Sequence, residues 1–167
     1  DVRKFGFIKV YSKNNLKNNL HLYNLGPEPL SQEFNYIYAK NYIIGKKRVI
    51  KDIIMDQRFV SGVGNIYANE ILFFSKVKPT KNVMKLSVQE CKKIIFFSKK
   101  VLNKAIKRGG SSIRDFKNTS GVKGNFQKEF RVYQRDGFKC VRNNCTGKVK
   151  KKFISNRSTF FCNSCQK

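Results

Sequence analysis

Residues 56–74 read DQRFVSGVGNIYANEILFF, and the fold of the chain is organised around this stretch. Gly62 and Gly64 allow the backbone a positive φ angle and a close approach to another group, which predicts a tight turn. Asn65 occupies the position of a helix N-cap, and a mostly buried helix is predicted from Ile66 onward. A rigid turn that presents N–H groups and an amide at a helix start can bind phosphate. The alternative is a structural turn between two helices that binds nothing.

The run GVGNIYANE, residues 62–70, closely resembles the helix–two-turn–helix signature of formamidopyrimidine-DNA glycosylase. This family removes oxidised purines from DNA in base-excision repair. The resemblance implies a helical DNA-binding domain in which Asn65 contacts a DNA phosphate.

The first residues, DVRKFG, resemble the DPRRFG run of the same family, with Val2 and Lys4 in place of its proline and second arginine. The resemblance implies that Arg3 pairs with the base orphaned by the extruded nucleotide and that Phe5 wedges into the base step. Base flipping requires the vacated space to be filled in this way. Taken alone, Phe5 is more typical of a strand that packs into a core.

The formal net charge of +26 comes from 36 Lys and Arg residues against 10 Asp and Glu residues. So large a positive charge favours a polyanionic partner, with nucleic acid as the first candidate and an anionic membrane surface as the second. A genomic base bias would also raise the lysine content. The sequence contains no long apolar run and no signal peptide, so neither a membrane span nor export is indicated.

Four of the five cysteines form two pairs near the C-terminus: Cys140 and Cys145 with four residues between them, and Cys162 and Cys165 with two. This spacing predicts a closed zinc ribbon, in which four thiolates hold one structural Zn2+ and leave no position open for a catalytic water. The family pattern has two residues within its first pair, so a looser first knuckle is expected here. The isolated Cys91 is predicted to be a small core residue.

The ending NRSTFFCNSCQK resembles the family run GRxTxxCPxCQ and predicts a hairpin with its tip at residues 155–158. The resemblance implies that Arg157 binds the lesion phosphate and is the catalytic proton donor for the second strand-cleaving elimination. The chemistry of arginine favours the phosphate anchor over the acid, because its pKa is too high for easy proton transfer.

Two further segments carry DNA-binding predictions through the resemblance. Lys46 and Lys51 match family lysines that contact DNA near the lesion, and the neighbouring Lys47 is predicted to bind DNA with them, although a basic run is by default a solvated surface. Residues 119–127, preceded by GGSSIRDF at 109–116, resemble the loop that folds over the extruded base in the purine-lesion branch. The sister branch, endonuclease VIII, usually lacks this loop, so the loop favours purine lesions. An ordinary surface loop is the alternative.

The predicted fold class is α+β: a mainly helical helix–two-turn–helix domain, then a β-hairpin zinc ribbon, with a remnant of an N-terminal β-sandwich before them. The predicted limits are residues 1–24 for the end of the sandwich, 25–30 for a linker with the family's LGPEPL pattern, 31–130 for the DNA-binding domain and 131–167 for the zinc finger.

Local signals predict where individual elements begin and end. The predicted signals are a helix cap at Ser31, a helix stop at Pro79, a capping box at 87–90, a helix end at Gly109–Gly110 and a strand over 129–137. A strand is predicted over residues 1–10, and a loop or hairpin over 11–24.

The resemblance implies a bifunctional DNA glycosylase and AP lyase that removes 8-oxoguanine and formamidopyrimidines and nicks DNA by β,δ-elimination. The family's N-terminal proline nucleophile has no counterpart in this sequence, so we expect a DNA-binding fragment, or an incomplete record, that is itself inactive. The expected partner is damaged double-stranded DNA and no membrane, bound by a monomer in the bacterial cytoplasm at the nucleoid. The alternatives are an endonuclease VIII-type glycosylase for oxidised pyrimidines and a non-catalytic, zinc-dependent DNA-binding module.

Overall fold

The structure is a computed structural model that describes residues 10–12, 19–112 and 124–167. Its elements in chain order are α1 Leu20–Tyr23, α2 Tyr36–Ile43, α3 Ile50–Ile54, α4 Asn65–Ser75, a 3-10 turn at Val83–Lys85, α5 Val88–Lys107, a second 3-10 turn at Phe126–Glu129, β1 Val149–Ile154 and β2 Arg157–Cys162. Helices followed by one β-hairpin confirm the predicted α+β class. The strand predicted at 1–10 lies outside the described residues except for Val10, as does most of the predicted lesion loop.

Helix α4 lies between the other elements and packs against α3, α5 and β2. Seven of its residues are buried, including Asn69 and Glu70, which confirms the prediction of a buried rather than amphipathic helix. The helix ends at Lys76, which adopts the left-handed conformation with φ of 61°. Pro79 is therefore not the stop that the sequence predicted. Its carbonyl instead accepts the N–H of Lys51 at 3.2 Å and ties the following loop to α3.

Helix α5 follows its local signals closely. Ser87 and Glu90 form the predicted reciprocal capping box, which satisfies two N–H groups that the first turn leaves unpaired. Gly109 and Gly110 have φ angles of 71° and 81° and end the helix as predicted. Ile106, in the last turn of the helix, is 64% exposed. None of the helices in the described ranges is long and apolar enough to span a membrane.

The chain before α3 departs from the sequence predictions at two points. Within the described part of residues 11–24, Leu20–Tyr23 form one helical turn rather than a hairpin or loop. Ser31 does not cap a helix, because its hydroxyl donates to the carbonyl of Glu28 at 2.9 Å in a turn. The cap of α2 is Asn35, whose side chain accepts the N–H of Tyr38 at 3.0 Å.

The turn that precedes α4 is tight, as predicted, but its cap differs. Gly62 has a φ angle of 75°, whereas Gly64 is extended, with φ of −96° and ψ of 178°, and serves as the N-cap. Asn65 is the first residue of the helix and makes no capping hydrogen bond. Its amide points instead to partners in other elements, described below, which outcompete a local cap.

The strand predicted over 129–137 is absent from the described structure. A 3-10 turn ends at Glu129, and the next backbone N–H groups turn toward the buried carboxylate of Glu70. Arg131 donates to its Oε2 at 2.9 Å, while Val132 and Tyr133 each donate to its Oε1 at 3.0 Å. A carboxylate that accepts three consecutive N–H groups replaces the partner strand that this alternating sequence would otherwise need.

Strands β1 and β2 form an antiparallel hairpin in which Lys152 pairs with Thr159 and Val149 pairs with Cys162. Ser155 and Asn156 alone make the turn, with φ angles of 46° and 58°. Positive φ at both positions is the geometry of the two-residue turns that suit the twist of a hairpin. The tip is thus shorter than the predicted residues 155–158, and Arg157 is the first residue of β2.

Two hydrophobic clusters stabilise this arrangement. The larger lies among α2–α5 and the segment after α5, with residues such as Phe34, Ile71 and Val101. The smaller contains Phe73, Val132 and Phe160 together with two of the clustered cysteines. Phe73 belongs to α4, so the C-terminal end of that helix supplies part of the core beneath the cysteine-rich hairpin.

The Glu70 carboxylate is expected to hold residues 131–133 in place. Glu70→Gln retains one acceptor oxygen, but its NH2 group faces the N–H of Arg131 and leaves that donor unpaired. We expect a loss of about 1–3 kcal/mol in the free energy of unfolding, measured by urea denaturation. The same change at the exposed Glu33 is the control and should have no measurable effect. Equal stability of the Glu70→Gln variant and the wild type would contradict the clamp.

Candidate nucleic-acid interface and metal site

The turn before α4 and the hairpin meet at the side chain of Lys51, which is only 1% exposed. Its Nζ donates to Oδ1 of Asn65 at 2.5 Å and to Oγ1 of Thr159 at 3.3 Å. One ammonium group of α3 therefore connects the start of α4 with strand β2. Two residues from the predicted DNA-binding set, Lys51 and Asn65, are in direct contact.

The amide of Asn65 is held from several sides. Its Nδ2 donates to the carbonyl of Ser158 at 3.0 Å, while its Oδ1 accepts from Lys51. Asn69, one turn further along α4, donates to the carbonyl of Asn65 at 2.7 Å and accepts the N–H of Phe160 at 2.7 Å. Because these bonds are directional, they fix the position of β2 against α4.

Arg157 lies beside this network, immediately before Ser158, and its side chain is exposed. Burial lowers the pKa of Lys51 to about 8, the Asp52 carboxylate raises it and the positive charge of Arg157 lowers it further. Asp52 also accepts a hydrogen bond from the hydroxyl of Ser155 at the hairpin tip, at 2.9 Å. Two cations held this close create a local potential that attracts an anion.

The other predicted DNA-binding residues lie apart from this contact or outside the described part of the chain. Lys46 is half-buried, with its Nζ 4.4 Å from the ring centroid of Tyr42, and Lys47 is exposed. Arg3 and Phe5 lie outside the described residues.

Sequence reasoning missed three side chains that join the helical region to the part of the chain that follows it. Asn69 and Glu70 are adjacent polar residues in the buried part of a mostly apolar helix, a pattern that signals a specific hydrogen-bonding role. Thr159 lies between Ser158 and Phe160 in β2 and is fully buried. Glu70 and Arg131 are 61 positions apart in the chain, Asn69 and Phe160 are 91 apart, and Lys51 and Thr159 are 108 apart. No local sequence pattern could identify these partners.

The four clustered cysteines converge as predicted, with sulfur atoms all within 4.8 Å of one another. Cys140 and Cys165 are 3.8 Å apart, and Cys145 and Cys162 are 3.6 Å apart, measured between sulfur atoms. A tetrahedral zinc ion with Zn–S bonds of about 2.3 Å requires sulfur separations of roughly 3.8 Å. The distances are too long for disulfides and fit a four-thiolate metal site. The lone Cys91 is buried in the helical core, as predicted.

The thiols of this cluster differ in their surroundings. A hydrogen bond from the backbone N–H of Gly147 lowers the pKa of Cys145 to about 7. Burial raises the pKa of Cys140 to about 12. A bound dication would favour the thiolate form at both positions.

The four-residue spacer between Cys140 and Cys145 is held against α4 rather than loose. Arg142 donates to the carbonyl of Phe73 at 2.8 Å, and its guanidinium lies 4.7 Å from the ring centroid of the same residue. This carbonyl in the last turn of α4 also accepts the N–H of Lys76 at 3.0 Å, so Arg142 is its second donor, and the stacking adds a cation–π contact. The longer knuckle therefore adds an attachment between the cysteine cluster and α4.

Known proteins match both the helical region and the chain as a whole. Residues 25–117 match the family model described as the formamidopyrimidine-DNA glycosylase H2TH domain. The formamidopyrimidine-DNA glycosylase of Bdellovibrio bacteriovorus is 45% identical over 167 residues, which cover 100% of this chain and 60% of that protein. The enzyme of the same name from Bradyrhizobium sp. is 39% identical over 173 residues, with 100% and 59% covered. The chain thus spans about 60% of the length of the curated relatives it matches.

Solved structures with the same family name also superpose on this chain. The complex between Lactococcus lactis Fpg and an abasic site containing DNA superposes with a TM-score of 0.91 at 34% identity, covering 100% of this chain and 60% of that one. The MutM (Fpg) protein from Thermus thermophilus superposes with a TM-score of 0.80 at 35% identity, covering 87% and 55%.

Burial of the Lys51 ammonium predicts a dependence of stability on pH. Its folded pKa of about 8 lies below the ordinary value of 10.5, so the unfolded chain binds more protons between these values. The free energy of unfolding should therefore rise with pH in this window, by up to about 1.4 kcal/mol per pH unit, relative to Lys51→Met. Urea denaturation of both proteins from pH 7 to 10 measures the difference. Parallel curves would show that Lys51 does not titrate in this way.

Proposed function

Because the chain belongs to the formamidopyrimidine-DNA glycosylase family, we propose that it is the DNA-binding part of a base-excision repair enzyme. The proposed enzyme is a bifunctional glycosylase and AP lyase that excises oxidised purines, 8-oxoguanine and formamidopyrimidines, and nicks the strand by β,δ-elimination. It acts as a monomer on damaged double-stranded DNA, at the nucleoid in the bacterial cytoplasm.

The observation that carries this proposal is the junction between α4 and β2. Asn65 from the two-turn motif and Ser158, which follows Arg157, are joined by a hydrogen bond of 3.0 Å. The glycine-containing turn and the arginine of the hairpin therefore lie on one side of the molecule, where they can reach the same duplex. The excess positive charge supports a phosphate backbone as the ligand.

Each predicted DNA-binding residue has a role in this proposal. Asn65 and Arg157 hold the phosphate at the lesion, and Lys46 and Lys47 contact the backbone beside it. Lys51 is buried beneath this surface and is joined to it through its bond to Asn65. Arg3 and Phe5 fill the space left by the extruded base. Arg157 is also the proposed catalytic proton donor of the second elimination, with phosphate anchoring as its primary task.

We propose that the four cysteines hold one structural zinc ion. The sulfur separations support it, and four thiolate ligands leave no coordination position for a water nucleophile. Zinc would keep β1 and β2 together and thus hold Arg157 against α4.

Binding to DNA should depend steeply on salt. Phosphate contacts release condensed counterions, so the logarithm of the affinity should fall linearly with the logarithm of the salt concentration. Arg157→Ala should reduce affinity at least about tenfold for a duplex with an abasic-site analogue, because a charged hydrogen bond is lost. Fluorescence anisotropy at several salt concentrations measures both effects. Lys93→Ala, exposed on α5, is the control with little expected effect, and binding that is insensitive to salt counts against the proposal.

The 167-residue chain should bind lesion DNA without forming a covalent intermediate. Its prolines, Pro27, Pro29 and Pro79, lie within the chain, so none offers the terminal amine of the family's nucleophile. Incubation with duplex containing 8-oxoguanine and sodium borohydride should give no cross-linked band in gel electrophoresis. A longer chain that supplies the proline should be trapped, and trapping of the 167-residue chain itself would refute this division of labour.

Removal of zinc should disrupt the hairpin. The purified protein should contain one zinc ion per chain by mass spectrometry, and Cys162→Ser should lose it along with most affinity for DNA. Cys91→Ala changes a buried cysteine outside the cluster and should retain the metal. A fully metal-free protein with unchanged DNA affinity is the result that the proposal does not allow.

A further inference from the structure

The position of Lys51 is unusual for a lysine in a DNA-binding surface. Its side chain is 1% exposed, and its Nζ is engaged by Asn65 and Thr159 inside the protein. A lysine that neutralises a phosphate needs its ammonium at the surface, as Lys47 has. The contribution of Lys51 must therefore be transmitted through the groups it contacts.

We propose that Lys51 is a positioning residue: it docks the zinc-ribbon hairpin onto the turn before α4 and thereby sets the placement of Arg157 relative to Asn65. This inference rests on the proposed function, since it assigns a role to Lys51 in binding DNA. It differs from a direct phosphate contact, in which the ammonium itself would touch the ligand.

The hydrogen bonds show how such positioning works. An ammonium can only donate, so it requires an oxygen and turns Oδ1 of Asn65 toward itself. The opposite end of the amide, Nδ2, must then face the hairpin, where it donates to the carbonyl of Ser158. The lysine is the nearer of two donors to this oxygen, at 2.5 Å against 3.4 Å for Nδ2 of Asn69. The lysine thus contributes most to the orientation of the amide, and the amide in turn positions the residue next to Arg157.

Three consecutive residues of β2 are held in this way. Ser158 accepts from Asn65, Thr159 accepts from Lys51, and the N–H of Phe160 donates to Asn69. Arg157 directly precedes them, so its backbone has little freedom to move. Without the lysine, the Asn65 amide could rotate and the first two of these contacts would loosen, while Asn69 and the zinc cluster would still retain the strand.

The energetics also favour a positioning role over a purely stabilising one. Burying an ammonium has a desolvation penalty that two neutral acceptors offset only in part. The nearby positive charge of Arg157 adds repulsion, and Asp52 is the acidic group that opposes it. A methionine of similar volume would fill the space without this penalty, but it could not orient the amide.

The test compares Lys51→Met, Thr159→Val and Lys47→Met in the zinc-loaded 167-residue chain. Affinity for a 20-base-pair duplex that carries a tetrahydrofuran abasic analogue is measured by anisotropy as a function of potassium chloride concentration. We expect Lys51→Met to lower affinity about tenfold and to keep the salt slope of the wild type. A slope reduced by about 0.9, the value for one lost phosphate contact, would overturn the proposal.

Thr159→Val keeps the lysine and removes the hydroxyl that it contacts on the hairpin, together with the hydrogen bond of that hydroxyl to the carbonyl of Arg157 at 3.1 Å. It serves also if Lys51→Met does not fold. We expect a loss of about threefold in affinity with an unchanged slope. An affinity equal to that of the wild type would contradict docking. Lys47→Met applies the same substitution to an exposed lysine that is proposed to contact the backbone, so this matched variant should reduce the salt slope by about 0.9.

Hydrogen exchange of the free protein separates this inference from the proposed function. The amides of residues 158–160 should exchange severalfold faster in Lys51→Met than in the wild type, whereas Lys47→Met should leave them unchanged. Unchanged exchange in Lys51→Met would refute the docking role even if DNA binding falls. If the wild-type chain does not bind duplex, the proposed function fails, and the exchange data still decide whether Lys51 docks the hairpin.

Discussion

Three polar side chains of one buried helix hold the two halves of the structure together. Asn65, Asn69 and Glu70 project from α4, and each bonds to backbone groups of the segment that follows the helical region. Buried polar groups are costly when unpaired, and their hydrogen bonds are directional. The apolar residues of α4 can tolerate a small shift of their neighbours, whereas these three cannot. Helix α4 therefore sets the register of everything that packs on it.

The cysteine-rich hairpin depends on this helix because it is too small to bury a core of its own. Phe73 of α4 is part of the hydrophobic cluster beneath the hairpin, and Arg142 of the first knuckle packs on the ring of Phe73. A metal ion in the thiolate cluster and the contact with α4 would act together: the first joins the strands, and the second orients them. Both would contribute to a defined position of Arg157 in the proposed site.

The large positive charge of the chain has different consequences at the surface and inside. Exposed lysines strengthen attraction to a polyanion at long range and lose that effect as salt screens them. Lys51 is removed from water, so its charge acts over a few ångströms on the Asn65 amide, the Thr159 hydroxyl and Arg157. Counting cations therefore indicates the kind of partner, but it does not distinguish residues that touch the partner from residues that organise the site.

The sequence by itself determined the features that depend on neighbouring residues. The capping box at Ser87, the helix end at Gly109, the buried character of α4 and the convergence of the cysteines all follow from short-range patterns, and the structure agrees with each. Only the tertiary structure decided the rest. Gly64 rather than Asn65 is the N-cap of α4, residues 131–133 bind Glu70 instead of forming a strand, and Lys51 is buried. In each case the winning partner is a polar group far away in the chain, and a local sequence pattern contains no information about which distant group will be brought within hydrogen-bonding distance.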